Sequence, residues 1–385
     1  MTKLVIIGTG LAGYTLAREF RRRDENAEIL MITRDDGSSY SKPMLSNALN
    51  KEKTPDQLVM ATAEKMQENL NATIWCNSTV TNIDTVAQNI NVFQQGKSET
   101  LTYDQLVFAN GANTISAPIQ GDASSRVLSV NDLEDYRQFR TELDKGKRIV
   151  IIGAGMIGCE FANDLSNIDI KVNVVDLSSQ ALGLLLPKEA SIVLQEKLSE
   201  LGVQWHFENS VTHVDNDGNS LSVTLKDGAK LSADIVLSAI GLRPSIELAK
   251  AAGIETERGI KVDRYLQTNH NNIYALGDCA QVDDLTLPFV MPLMNSARAL
   301  AATLADEATK VKYPAMPVAL KTPCYPIVVC PAPRREEGEW ELDINETGIK
   351  GLFKDKKGCL LGFILTGERV TEKTSLAKEL PDWLA

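Results

Sequence analysis

The stretch LVIIGTGLAG at residues 4–13 decides the fold of the first part of this 385-residue chain, and IVIIGAGMIG at residues 149–158 repeats it. In each stretch, an apolar run typical of a buried strand leads into three closely spaced glycines and a helical pattern. The first glycine permits a tight turn, the second lets backbone approach a pyrophosphate, and the third lets helix and strand pack closely. The pair therefore predicts two dinucleotide sites in one chain.

An acidic residue about 20 positions after such a motif binds a ribose hydroxyl. Asp176 follows the predicted strand 172–175 and is succeeded by Leu177 rather than by an arginine. Its carboxylate would repel a 2′-phosphate, so the second site is expected to take NADH rather than NADPH. After the first motif, the predicted strand 29–32 is followed by Asp35, which is the candidate for the corresponding contact.

Composition excludes several classes of protein. Hydrophobic residues make up 43% of the chain, which supports sizeable cores, yet no apolar run is long enough to span a membrane. A net charge of −11 argues against nucleic acid as a partner. The six cysteines contain no CxxC pair, which argues against a metal site and fits reduced thiols. With no signal-peptide pattern at its start, the chain is expected to be cytoplasmic, without membrane insertion.

A weak internal repeat follows each glycine motif. Both motifs precede an alternating pattern typical of a small antiparallel insert, and then a returning strand that ends near Gly111 or Gly241. Two such units predict a duplicated, doubly wound α/β architecture. Helices are predicted to begin at Thr54-Pro55 and at Asn131, and to span residues 187–201 and 292–304. The last ~80 residues are rich in strand formers.

The motifs GTGLAG, GAGMIGCEFA, SAIGLRP and NNIYALGDCA, in this order, resemble the FAD- and NAD-dependent pyridine-nucleotide oxidoreductases with the glutathione-reductase architecture. The resemblance covers the whole chain. It implies two Rossmann-like FAD- and NAD-binding domains, one inserted in the other, and a small C-terminal α+β domain. The FAD-binding domain would comprise residues 1–115 and 242–310, the NAD-binding domain residues 116–241, and the C-terminal domain residues 311–385.

The resemblance also implies which residues bind each cofactor. Asp278 corresponds to the residue that holds the flavin ribityl chain, whereas Asn110 stands where the family usually has threonine. The residues implied for FAD are Gly8, Gly10, Leu11, Ala12, Gly13, Asp35, Lys42, Pro43, Gly111, Gly277, Asp278 and Lys321. Those implied for NAD are Gly153, Gly155, Met156, Ile157, Gly158, Asp176 and Gly241.

Three residues are implied in catalysis. Glu160 matches the glutamate that lies beside the flavin and the nicotinamide in relatives. Lys42 is a candidate partner for it near flavin N5, because the lysine more usual in the family is Asn47 here. Lys321 is expected to add a cation near the flavin edge, toward which the predicted helix from Pro292 would point its N-terminus.

The absence of a cysteine and a histidine at two places in the sequence indicates the branch of the family. The stretch 38–46 has no cysteine and no histidine follows His270, so the thiol chemistry of disulfide reductases has no nucleophile. The sequence YSKPMLS at residues 40–46 resembles the YxRPxLS pattern of ferredoxin and rubredoxin reductases. Its KPMLS form and the KTP at residues 321–323 are most similar to the rubredoxin reductases of alkane hydroxylation. Rubredoxin is therefore the expected electron acceptor, and a monomer is compatible with the missing histidine.

Three rival interpretations remain at this stage. A ferredoxin reductase that serves a dioxygenase or a cytochrome P450 would have the same fold, cofactors and hydride step. A signalling flavoprotein similar to apoptosis-inducing factor is disfavoured, because such proteins tend to carry targeting segments or insertions. An oxygen-reducing oxidase of this architecture would need the cysteine that is absent from residues 38–46.

Overall fold

The computed structural model describes residues 2–143, 148–168, 170–332 and 336–385. Short 3₁₀ helices lie at Lys42–Asn47, Asp56–Leu58, Ser124–Arg126, Gly277–Cys279 and Gly367–Glu372. The α-helices within the described ranges are α1 (Leu11–Arg21), α2 (Ala63–Leu70), α3 (Leu133–Leu143), α4 (Met156–Ser166), α5 (Lys188–Glu200), α6 (Glu247–Ala251), α7 (Val290–Leu304) and α8 (Lys373–Ala377).

The strands alternate with these helices in the first two-thirds of the chain and predominate in the last third. In chain order they are β1 (Lys3–Ile7), β2 (Glu28–Ile32), β3 (Ser39–Tyr40), β4 (Val59–Ala61), β5 (Thr73–Trp75), β6 (Ser78–Asp84), β7 (Asn89–Gln94), β8 (Lys97–Thr102), β9 (Gln105–Phe108), β10 (Ala112–Thr114), β11 (Val127–Ser129), β12 (Arg148–Ile152), β13 (Lys171–Val175), β14 (Gln204–His206), β15 (Val211–Asp217), β16 (Ser220–Leu225), β17 (Lys230–Ala233), β18 (Ile235–Ser238), β19 (Leu242–Pro244), β20 (Ile260–Val262), β21 (Ile273–Ala275), β22 (Ala280–Val282), β23 (Val318–Leu320), β24 (Ile327–Cys330), β25 (Glu339–Asn345), β26 (Gly348–Lys354) and β27 (Leu360–Thr366).

Two parallel five-stranded sheets have the same internal order. The first runs β21-β9-β1-β2-β5 and the second β11-β18-β12-β13-β14. In both, the strand before the glycine motif is central, with the next strand of the unit on one side and the returning strand on the other. Both glycine motifs therefore lie at the carboxyl ends of central strands, where doubly wound sheets bind their ligands.

The two sheets differ in the origin of one strand. Strand β21 pairs with β9 although the whole second unit lies between them in sequence, whereas β11 directly precedes its own unit. Strands β10 and β19 pair antiparallel, so the chain enters and leaves the second unit side by side. The predicted α/β fold class is confirmed, and the domain boundaries stay a prediction.

Burial explains why these strands form parallel sheets. Residues 4–7 and 149–152 are buried without alternation, because both faces of each sheet are covered. Two smaller antiparallel sheets, β6-β7-β8 and β15-β16-β17, follow the two glycine units, and the C-terminal sheet runs β23-β24-β27-β26-β25. None of the helices in the described ranges is long and apolar enough to cross a membrane.

One predicted helix start is wrong. Thr54 and Gln57 do form the reciprocal hydrogen bonds of a helix N-terminus, from Thr54 N to Gln57 Oε1 at 2.9 Å and from Gln57 N to Thr54 Oγ1 at 3.3 Å. Only a 3₁₀ turn follows, at Asp56–Leu58. The chain then becomes strand β4, because Val59 pairs with Tyr40 of β3. Tertiary pairing here overrides a correct local signal.

Candidate active site

The two glycine loops share one local geometry. Gly8 and Gly153 have φ values of 110° and 108°, in the left-handed region that favours glycine. A Cβ atom on Gly153 would lie 2.7 Å from the carbonyl oxygen of Ala239, and one on Gly8 would collide with that of Ala109. The returning strands β9 and β18 therefore approach the loops as closely as glycine allows.

The other glycines of each loop face in opposite directions. A Cβ atom on Gly10 or Gly155 would meet no atom within 4 Å, whereas one on Gly13 or Gly158 would overlap the first glycine of its own loop. Gly10 and Gly155 immediately precede α1 and α4, whose first amides lack partners within the helix. Each loop thus presents an open face before a helix N-terminus, which suits a pyrophosphate.

The remaining residues expected at the two nucleotides lie around these loops. Gly277 packs on the first turn of α1, because a Cβ atom on it would come within 2.9 Å of Ala12 Cβ. Its neighbour Asp278 therefore lies beside the first loop. Leu11 is also in the first turn of α1, Met156 and Ile157 are in the first turn of α4, Pro43 is in the 3₁₀ helix Lys42–Asn47, Gly111 lies between β9 and β10, and Gly241 lies between β18 and β19.

The two acidic residues expected at the riboses lie after the second strand of each unit. Asp176 Oδ2 accepts the backbone N–H of Ala154 at 2.6 Å, and its Oδ1 accepts that of Ser178 at 2.7 Å. Asp35 Oδ1 accepts Thr33 Oγ1 at 2.7 Å and the N–H of Gly37 at 2.9 Å. Asp176 is thus hydrogen-bonded to the second glycine loop itself. The contacts of Asp35 and Asp176 to ribose stay predictions.

Glu160 lies where three distant segments of the chain meet. It is 1% exposed, in the second turn of α4. Its Oε2 accepts a hydrogen bond from Ser46 Oγ at 2.6 Å and forms an ion pair with Lys321 Nζ. Its Oε1 accepts the backbone N–H of Lys321 at 3.1 Å. A buried carboxylate needs such a set of donors to remain charged.

The expected pairing of Lys42 with Glu160 is not formed. Lys42 Nζ instead donates to Asn131 Oδ1 at 2.6 Å. Burial lowers the pKa of Lys42, and the carboxylates of Asp278, Asp132 and Asp135 counteract this. Lys42 is the first residue of the 3₁₀ helix, and Ser46 lies about one turn later. The turn of this helix that contacts α4 therefore contains Ser46 and not Lys42. The cation for Glu160 arrives from the segment after β23 as Lys321.

Burial also raises the pKa of Asp278, an effect that Lys42 opposes. The two groups are therefore coupled through space beside the first glycine loop. Asn131 holds Lys42 in this place, since its Nδ2 donates to Ala112 O at 2.9 Å. Its backbone N–H donates to Asp135 Oδ2 at 2.9 Å. The sequence singled out Asn131 only as the start of a helix.

Several buried polar atoms have no hydrogen-bond partner among the residues that the structure describes. Asn110 Nδ2 donates to Ser245 O at 3.1 Å, but Asn110 Oδ1 and Ser245 Oγ are left unpaired. Asn47 Oδ1 and Ser238 Oγ, at the end of β18, are likewise unpaired. Because buried polar groups are normally hydrogen-bonded, such atoms fit a site that receives a polar ligand. The structure thus suits the expected cofactors.

Sequence reasoning missed Ser46, Asn131, Asn163 and Asp164. Asn163 Oδ1 accepts the backbone N–H of Cys324 at 3.1 Å, and Asp164 accepts two backbone amides of the segment after Asn47. The sequence signal for Asn163 and Asp164 is their polarity at three and four residues from Glu160 in a mostly apolar helix. In the described parts of the chain, no group of three or more potential metal ligands occurs.

Comparison with known proteins supplies a family-level result. Residues 2–303 match the family model described as pyridine nucleotide-disulphide oxidoreductase. Residues 310–380 match the one described as rubredoxin binding C-terminal domain. A rubredoxin-NAD(+) reductase of Alcanivorax borkumensis is 50% identical over 99% of both chains. That of Acinetobacter baylyi is 46% identical, covering 99% of this chain and 98% of its own.

A solved structure agrees in fold. The ferredoxin reductase for the CYP199A2 system from Rhodopseudomonas palustris matches with a TM-score of 0.89. The match covers 99% of this chain and 95% of that one, at 24% identity. At this identity the likeness establishes the architecture alone.

Proposed function

The chain belongs to the pyridine nucleotide-disulphide oxidoreductase family, and we propose that it takes a hydride from NADH onto FAD and passes single electrons to rubredoxin. The observation that carries this proposal is the 50% identity, over 99% of both chains, to a rubredoxin-NAD(+) reductase. The match of residues 310–380 to a rubredoxin binding domain supports the same acceptor. The family resemblance drawn from the motifs is confirmed, as are FAD and NAD(H) as cofactors.

The glycine loops provide the nucleotide binding. Flavin chemistry, which no side chain replaces, supplies the hydride acceptance and the release of electrons one at a time. Amides in the first turns of α1 and α4 would bind the two pyrophosphates. Asp176, hydrogen-bonded to the second loop, would accept from the ribose hydroxyls of NADH and repel a 2′-phosphate.

Glu160, Ser46 and Lys321 would form the polar wall between the two nucleotide loops. The ion pair compensates the charge of the buried carboxylate, and the two hydrogen bonds from Ser46 and the backbone of Lys321 fix its direction. Lys321 comes from the segment that matches the rubredoxin binding domain, so this wall joins the nicotinamide-binding unit to that segment. Its role would be to orient the reactants and to exclude water.

Lys42 would supply a second positive charge beside the flavin. Asn131 holds its ammonium group, and Asp278 lies close enough to act on its pKa. A cation placed there favours negative charge that develops on reduction, because the surrounding site is largely removed from water.

A transfer assay tests the acceptor. The protein is reduced anaerobically with NADH and mixed with purified rubredoxin or with a ferredoxin, while the absorbance of the iron centre is followed. Rubredoxin should be reduced rapidly and ferredoxin slowly. Rapid reduction of ferredoxin without reduction of rubredoxin would refute the proposed acceptor but leave the hydride step intact.

Three finer points are also proposals. The motif forms KPMLS and KTP support alkane hydroxylation as the process that receives the electrons. The six free cysteines support a cytoplasmic location. The absence of histidine from the sequence after His270 supports a monomer, since a shared thiol site would not be needed. The domain boundaries at residues 115, 241 and 310 belong with these proposals.

A further inference from the structure

We propose that Asp164 is a positioning residue, which clamps the loop of residues 48–53 onto helix α4 and so fixes Ser46 against Glu160. Nothing in the proposed reaction requires a second buried carboxylate on α4. Asp164 is nevertheless 2% exposed. Aspartate is rarely buried to this degree unless its oxygens are bound, and its binding partners show what it holds.

The carboxylate of Asp164 accepts two neighbouring backbone amides. Its Oδ2 accepts the N–H of Leu49 at 3.0 Å, and its Oδ1 accepts that of Asn50 at 2.7 Å. Two acceptor oxygens match two converging donors. An asparagine has one acceptor oxygen, and its amide nitrogen would face a backbone N–H. The contact therefore selects aspartate, despite the cost of burying a charge.

Helix α3 holds the other end of the same loop. Arg140 Nη1 donates to Lys53 O at 3.0 Å. The loop is closed on itself by hydrogen bonds from Lys53 N to Ala48 O at 2.9 Å and from Glu52 N to Leu49 O at 2.8 Å. Asp164 on α4 and Arg140 on α3 are thus both hydrogen-bonded to this compact loop. Both helices belong to the unit that carries the second glycine motif.

The clamp acts on the active site through chain continuity. The loop directly follows the 3₁₀ helix Lys42–Asn47, whose internal hydrogen bonds have poorer geometry than those of an α-helix, so its position depends on contacts with the rest of the chain. Ser46 of that helix donates to Glu160, and Asp164 lies one helical turn after Glu160 on the same face of α4. Glu160 and Asp164 therefore hold neighbouring residues of one segment. Releasing the loop from Asp164 would loosen the hydrogen bond between Ser46 and Glu160.

The charged state of Asp164 should respond to pH. Burial raises the pKa of Asp164 to about 6, the two backbone hydrogen bonds and Arg140 oppose this, and Glu160 adds to it. From α3, Arg140 and Tyr136 face the carboxylate, and the loop contributes only its amides. Because burial raises this pKa above that of a solvated aspartate, the clamped state binds a proton more tightly than an opened state, so lowering the pH through about 6 should favour the clamped state.

Hydrogen exchange of the FAD-loaded protein tests the clamp directly. In Asp164→Asn, amides of residues 45–53 should exchange about tenfold faster than in the wild type, because one hydrogen bond is lost and another is weakened. The matched control is Asp84→Asn, since Asp84 Oδ1 also accepts two backbone amides, from Val86 at 3.0 Å and Ala87 at 2.8 Å, but in an exposed turn. The control should leave residues 45–53 unchanged.

The wild type provides a test that needs no variant. After correction for intrinsic rates, protection of residues 45–53 should rise between pH 7 and pH 5, and in Asp164→Asn it should not depend on pH in this range. Equal protection in both proteins, or a wild-type protection that does not change with pH, would refute the clamp.

A kinetic measurement links the clamp to the active site, and this part rests on the proposed function. Asp164→Asn should lower the rate of flavin reduction by NADH about tenfold at unchanged FAD content, with little change in KM. Between pH 7 and pH 5, the ratio of the wild-type rate to the variant rate should change in parallel with exchange protection. Altered exchange without altered reduction would refute the link to Glu160. Failure of NADH to reduce the wild type would instead refute the proposed function.

Discussion

Replacing Lys321 with methionine removes the only lysine or arginine that pairs with Glu160 in the described residues. Glu160 is 1% exposed and would keep two donors, the Ser46 hydroxyl and the backbone N–H of residue 321. Breaking a buried ion pair on one side costs about 3–5 kcal/mol. The side chain of Lys321 is 25% exposed and two donors remain, so we expect a loss of about 2–3 kcal/mol in the free energy of unfolding.

The matched control is Lys350→Met in the C-terminal sheet. Lys350 has the same side-chain exposure, 25%, but its partner Glu372 is 34% exposed and also pairs with Arg369. Solvent-accessible pairs contribute about 0–1 kcal/mol. Urea unfolding of the FAD-loaded proteins, followed by flavin fluorescence and by circular dichroism, should therefore show a loss below about 1 kcal/mol for this control.

A double-mutant cycle with Glu160→Gln isolates the pair. The coupling energy should be about 2 kcal/mol, because the doubly changed protein has neither a buried charge nor a missing partner. A coupling below about 0.5 kcal/mol, or a loss no larger than that of Lys350→Met, would refute the structural reasoning.

Three further predictions concern the nucleotide sites. Gly155→Trp should abolish flavin reduction by NADH while FAD stays bound, because a side chain there meets no protein atom and fills the nucleotide face; normal reduction would contradict the assignment of the second loop. Asp176→Ala combined with Leu177→Arg should shift the ratio of kcat/KM toward NADPH, and an unchanged ratio would refute the selectivity argument. Asn131→Ala should release the Lys42 ammonium group and slow flavin reduction about tenfold. In that variant, unchanged stopped-flow rates would show that Lys42 needs no such support.

Sequence patterns predicted the structure correctly where interactions between residues close in the chain determine it. The run 4–7, the three glycines after it and the helix that follows are all encoded within residues 4–21, and the same holds for residues 149–166 of the second unit. The carboxylates Asp35 and Asp176 also follow their strands as the motif spacing predicts. At Thr54, the same kind of local reasoning failed. The chain after the helix cap forms a strand rather than a helix, because it pairs with residues 39–40.

The sequence by itself determined the two glycine loops, the duplicated α/β architecture and the cofactors that such loops bind. These features depend on hydrophobic runs and on backbone conformations that only glycine adopts, so they can be recognised from short stretches. The tertiary structure alone decided that Lys321, and not Lys42, meets Glu160, and that Asp164 holds the loop after Ser46. These partners are more than a hundred residues apart, and which charge reaches a buried carboxylate depends on packing between units, which spacing along the chain does not encode.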